Sequence, residues 1–197
     1  MAPPRNLRRR RALTDSTIEI LGTSGMHELS HRAVDERAGL PAGTTSNYFP
    51  SRDDLLEAAA RRIVELQLAD MQAADGQVTG PVGAGQLAEL IGASLYDSAT
   101  RRRTQFLAIF ELTLEATRRP GLGQALAQIA AATLEATVAE HRALGLDTSP
   151  EQVQLLLTLF AGALLALVTG PREAVTPGTA LTLARSLVTG ALSPSPS

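Results

Sequence analysis

Residues 29–55 read LSHRAVDERAGLPAGTTSNYFPSRDDL, and this stretch decides the fold. Ser30 is placed to cap a helix, because its hydroxyl can accept one of the backbone N–H groups that a first turn leaves without a partner. Leu29 before it and Val34 four positions into the helix have the spacing of a hydrophobic staple. Val34 and Ala38, one turn apart, face the core together. Gly39 stands where a helix end needs a left-handed residue. After the turn, Ala42 to Phe49 supplies about two turns of small and hydrogen-bonding side chains. Ser51-Arg52-Asp53-Asp54 then matches a capping box, heading a long helix that carries Leu55, Leu56, Ala59, Ile63 and Leu66. Two short helices across a tight glycine turn make a helix-turn-helix, whose second helix enters the major groove of DNA. Thr44, Thr45, Ser46 and Asn47 offer hydroxyls and an amide for base edges, thymine methyls or phosphates.

Working outward, the chain has 197 residues, 44 % hydrophobic, 19 % charged and only 3 % aromatic. It is rich in Ala and Leu and has no β-branched runs, so an all-α fold is expected. The absence of cysteine excludes a disulfide framework, thiolate zinc, an iron–sulfur cluster and a cysteine nucleophile. Capping and breaker residues predict helices at 7–21, 31–38, 42–49, 52–74, 86–100, 102–118, 120–143, 150–169 and 178–191. The expected division is an N-terminal arm and helix-turn-helix domain at 1–52, a helical domain at 53–192 and a Pro/Ser tail at 193–197.

The net charge of -2 is unevenly spread. Up to Arg62 there are ten arginines against eight acids; from Ile63 onward there are eight against twelve. Arg8, Arg9, Arg10 and Arg11 supply the excess, and a basic arm on a neutral-to-acidic chain points to a local anionic partner. A charge run alone is more often a solvated face. Asp15 and Glu19 interrupt the place where a signal peptide would need an apolar stretch. The run Leu155 to Val168 is shorter than the ~20 residues that span a bilayer, so it reads as a core or subunit-interface helix. A cytoplasmic location with no membrane partner is expected.

The quoted stretch resembles the DNA-binding domain of the tetracycline-repressor (TetR) family. Ser30, Ala38-Gly39-Leu40, Gly43-Thr44, Asn47-Tyr48-Phe49, Pro50-Ser51 and Leu55 all fall in that family's register, and the match covers about residues 8 to 60. Three positions depart from it. Pro41 replaces a Ser or Thr cap, Ala42 a polar or basic residue, and Ser46 a Tyr that touches the DNA backbone. The resemblance implies a one-component repressor that binds a double-stranded, pseudo-palindromic operator as a homodimer and is released by a small-molecule effector. Ser30, His31 and Arg32 fit phosphate and base contacts, with Arg32 the guanine reader, since a guanidinium can bond O6 and N7 together. Arg52 fits a phosphate-holding Lys. The recognition helix brings Ala42, Gly43, Thr44, Thr45, Ser46, Asn47 and Tyr48, and the arm Arg8 to Arg11 lies along phosphates or in the minor groove.

The resemblance also implies that the last two long helices pair with those of a second copy. Leu155, Leu159, Gly162, Ala163 and Ala166 form an apolar face on one, with Leu183 and Leu187 on the other; an intramolecular core face fits the same pattern. For an effector pocket, Phe106 and Phe110 stand one turn apart with Gln105 and Glu111 beside them. Tyr96, Met71 and His141 come from neighbouring helices. A mostly apolar cavity with a few convergent polar groups is what such a site needs.

His27-Glu28-Leu29-Ser30-His31 matches the zinc-hydrolase pattern H-E-x-x-H. A helix starting at Ser30 would divide it, leaving His27 on a loop, so a zinc-dependent hydrolase is the distant alternative. A DNA-binding regulator without an effector is the nearer one. No phosphate-binding loop or nucleophile elbow is present, and the expectation is a non-enzyme with no cofactor and no metal.

Overall fold

Nine α-helices and two short 3-10 turns, with no strand, make up the described residues of the computed structural model, 4–74 and 82–192. The helices are α1 Pro4–Ser24, α2 His31–Arg37, α3 Thr44–Tyr48, α4 Arg52–Ala74, α5 Ala84–Ala99, α6 Arg103–Ala116, α7 Pro120–Ala143, α8 Pro150–Thr169 and α9 Pro177–Leu192. The all-α expectation holds, element for element. The Pro/Ser tail at 193–197 lies outside the described residues.

Several boundaries differ from the sequence reading by one to three residues, and two of the differences have a clear physical cause. The first helix was expected to stop before Gly22, but it continues to Ser24. A Cβ at Gly22 would lie 2.0 Å from the Thr104 carbonyl oxygen, so glycine here permits a close helix crossing; Gly25, at φ +82°, follows the helix end. The recognition helix begins at Thr44 rather than Ala42, because Gly43 takes the left-handed conformation at φ +86°.

The chain groups into two compact units. The first comprises residues 1–74 and 104–129, and the second 75–103 and 130–197. In the first, α1 packs on α4 and on α2, and α2 on α3. Leu13, Leu21, Leu29, Val34, Phe49, Leu55, Leu56 and Ile63 are buried in one core together with Ala108 and Leu112 of α6 and Leu122 of α7. In the second, α5 packs along α9, and α8 on both. The α5–α9 contact is tight at Gly92, whose added Cβ would sit 3.0 Å from Leu181 Cα. Ser149 and Gln152 close a capping box at the head of α8.

Candidate nucleic-acid interface and ligand cavity

The caps read from the sequence are formed. Ser30 Oγ accepts the Ala33 N–H at 3.1 Å, and Leu29 and Val34 are both buried, completing the staple. At the far end of α2, Gly39 has φ +63°. The Gly39 N–H donates to Glu36 O at 3.2 Å and the Leu40 N–H to Asp35 O at 3.0 Å, the bond pair of a Schellman motif. Ser51 Oγ accepts the Asp54 N–H at 3.1 Å, while Asp54 Oδ2 accepts from the Ser51 hydroxyl at 2.7 Å and its N–H at 3.0 Å. These bonds hold the Asp54 carboxyl below the usual carboxylate range, the Ser51 hydroxyl contributing most.

The turn itself is held by a residue the sequence reading passed over. Asp35, only 2 % exposed, accepts the Gly43 N–H at 2.8 Å through Oδ2. Through Oδ1 it accepts the Thr45 N–H at 2.7 Å and the Thr45 hydroxyl at 2.5 Å. Thr45 is therefore buried, and of the recognition-helix residues named above it is the one that faces inward. The available signal was an acid beside the apolar Val34/Ala38 face, with a threonine across the glycine turn.

Other named residues divide between outward and inward roles. Ala42, Gly43, Ser46 and Asn47 are exposed, as are Ser30 and Arg32. Ser46 Oγ lies 3.2 Å from His31 Nδ1, and the Thr44 hydroxyl donates to Pro41 O at 2.5 Å. Arg32 Nε donates to Glu36 Oε1 at 2.9 Å in an exposed pair, which raises the guanidinium pKa. The Tyr48 hydroxyl donates to Asn6 Oδ1 at 3.2 Å. Arg8, Arg9, Arg10 and Arg11 are all exposed, and Arg10 lies over the Phe49 ring at 4.5 Å. Arg52 is differently employed from the expectation of a phosphate contact. Its Nη1 donates to Leu29 O at 2.9 Å and its Nη2 to Met26 O at 2.6 Å, tying the loop before α2 to the head of α4.

The H-E-x-x-H match is split as the capping pattern indicates. His27 and Glu28 sit in a 3-10 turn, Leu29 is extended, and His31 opens α2.

The residues expected to line a pocket fall in both units. Tyr96 borders a cleft of about 640 Å³ between α5 and α9, together with Glu89, Gly92, Ala93, Asp97, Thr100, Arg101, Pro177 and Leu181. Asp97 is paired with Arg101 and, at 2.7 Å, with Arg102. His141 is buried, with Nδ1 3.0 Å from Thr148 Oγ1 across the α7–α8 turn, and burial pushes its pKa down. Gln105, Phe106, Phe110 and Glu111 lie half-buried on α6. Glu111 Oε2 accepts the Met26 N–H at 3.3 Å. Gln105 Oε1 is buried without a protein donor among the described residues. The Met71 side chain lies outside those described.

On α8, Leu155 and Leu165 are 44 % and 43 % exposed, and Gly162 and Ala166 share that face. Ala163 and Leu159 are intermediate, while Leu187 of α9 is buried at 8 % and Leu183 half-buried. The helix is 20 residues long and holds an 18-residue window of mean hydropathy 1.9, so by length and composition it could cross a membrane. A subunit-interface helix meets the same description.

Comparison with known proteins agrees with this geometry. Residues 13–59 match the description "Bacterial regulatory proteins, tetR family", and residues 82–194 match "Tetracyclin repressor-like, C-terminal domain". The HTH-type transcriptional regulator BetI of Escherichia coli is 42 % identical over 62 residues, 32 % of this chain and 31 % of the relative. The chain thus matches about a third of the length of these curated relatives. A TetR-family structure from Streptomyces coelicolor is 30 % identical over 91 % of this chain and 97 % of its own, with a TM-score of 0.67. The multidrug binding protein EbrR, solved with ethidium, is 28 % identical over 91 % and 98 %, with a TM-score of 0.68. With both its front and its larger rear segment matched, the chain belongs to the TetR family of helix-turn-helix transcriptional regulators.

Proposed function

We propose that this protein is a dimeric repressor that reads a pseudo-palindromic operator and is released by a small-molecule effector. The observation that carries the reading is the outward face of the helix-turn-helix. Ser46 and Asn47 on α3, Arg32 at the start of α2 and Arg8, Arg9 and Arg11 on α1 are all exposed in the same unit. Arg32, Ser46 and Asn47 supply base contacts, and the arginines of α1 supply phosphate contacts. Residues 1–52 act as the reading head and 53–192 as the dimerisation and effector domain, in the cytoplasm. A second copy covers the exposed Leu155, Gly162, Leu165 and Ala166 face of α8. EbrR, whose structure holds ethidium, supports a small-molecule effector, as does the Gln105 amide oxygen, buried without a donor among the described residues. Effector binding selects the protomer spacing that cannot bridge two successive major grooves.

The test is selection of bound duplexes from a random library, followed by binding at two salt concentrations with EDTA present. A palindromic site bound by a dimer supports the reading; no enriched sequence refutes it. Arg32→Ala should weaken the selected site more than random DNA, and equal losses would remove its role as a base reader. Release of the selected site by a compound from a library that includes ethidium identifies the effector class. Binding that no compound releases favours a regulator without an effector.

A further inference from the structure

Helix α3 fully buries one side chain, Thr45, and that side chain is polar; the half-buried Tyr48 and the Phe49 that follows it pack on the apolar core at the other end. A helix seated by an apolar stripe can roll by small amounts, because hydrophobic contact is non-directional. Hydrogen bonds weaken steeply away from linearity, so a helix seated by them is fixed in rotation as well as position. At the start of α3 the seat is the Asp35 carboxylate, with one oxygen on the Gly43 N–H and the other on the Thr45 N–H and hydroxyl, which adds a directional hold to the apolar contact of Tyr48 and Phe49. Its two oxygens grip the chain on either side of Thr44, fixing the entry into α3 and the direction in which Ser46 and Asn47 face. No ion pair to Asp35 is formed among the described residues, so these three donors are what compensate its buried charge.

We propose that Asp35 is a positioning residue for sequence reading: without touching DNA, it sets the rotation of α3 and so determines which side chains meet base edges. The proposal rests on the operator-binding reading above. An asparagine has one acceptor oxygen, and its amide N–H groups would meet the N–H of Gly43 or Thr45, donor against donor. Loosening α3 should therefore cost discrimination, while phosphate contacts from α1 continue to support sequence-independent binding.

The experiment uses the full chain and the duplex selected by the wild type. Affinities for that site and for a random duplex of equal length are compared for the wild type, Asp35→Asn, Thr45→Val and Thr45→Ser, alongside thermal melts and amide spectra. Asp35→Asn should lower the ratio of specific to random binding by about tenfold or more, with random binding within about threefold of wild type. Thr45→Val should lose part of the ratio and Thr45→Ser, which keeps the hydroxyl, should retain it. In Asp35→Asn the shifted amides should centre on Gly43 and Thr45. An unchanged ratio in folded Asp35→Asn protein overturns the proposal, as does a fall in both affinities that merely follows the folded fraction. Failure of the wild type to select any site overturns this inference together with the regulator reading.

Discussion

Glu111 accepts the Met26 N–H at 3.3 Å, and the carbonyl of the same residue receives Arg52 Nη2 at 2.6 Å. The 3-10 turn before α2 is thereby gripped from α6 on one side and from α4 on the other. Sequence alone makes Glu111 a candidate pocket carboxylate and Arg52 a candidate phosphate ligand; in the fold each also holds the loop that leads into the helix-turn-helix. Glu111→Ala removes a charge-assisted bond at a half-buried position and should destabilise the protein by about 1–2 kcal/mol, measured by urea unfolding. An unchanged midpoint would mean the contact contributes nothing.

Arg52→Ala separates a loop-holding role from a phosphate contact. Two carbonyls lose their donors, which should cost roughly 2 kcal/mol of stability. Lysine cannot span both acceptors with a planar fork, so Arg52→Lys should recover little. The salt dependence of operator binding should keep its wild-type slope. A slope shallower by about one unit would assign Arg52 to a phosphate instead.

Gly22 and Gly162 predict opposite outcomes for the same substitution. At Gly22 a Cβ meets the Thr104 carbonyl oxygen at 2.0 Å, so Gly22→Ala should cost about 3 kcal/mol or more. At Gly162 a Cβ meets nothing within 4 Å in the protomer, so alanine should gain about 0.5–1 kcal/mol through helix propensity. Gly162→Trp, placed in the proposed subunit interface, should shift sedimentation from dimer to monomer at micromolar concentration. A dimer that persists unchanged would move the interface elsewhere.

Acid should weaken the fold through His141. Burial lowers its pKa below the usual value near 6.5, so the unfolded chain binds a proton that the folded chain resists. The stabilisation is fully present above pH 6.5 and is lost as pH falls below it toward the lowered folded value. Urea unfolding at pH 7.5 and 5.5 should show this decline, and His141→Asn should flatten it. Equal pH dependence in the variant would place the proton uptake on another group.

Local chemistry carried the sequence a long way. The caps at Ser30 and Ser51, the staple of Leu29 and Val34 and the left-handed Gly39 depend on residues within a few positions of one another, and each formed as read. Backbone satisfaction at a helix end is settled by near neighbours, so the helix-turn-helix and its family register were legible without coordinates. What the tertiary structure alone decided is where polar side chains spend their hydrogen bonds. Thr45 and Asn47 look equally available in the string TTSNY, yet only packing against α2 turns Thr45 to Asp35 and leaves Asn47 exposed. Gly22 looked like a stop signal until α6 crossed it. Partners such as Arg52 with Met26, or Glu111 with the same peptide, lie tens of residues apart, and nothing in sequence spacing encodes a contact that exists only once two helices have been brought together by a shared apolar core.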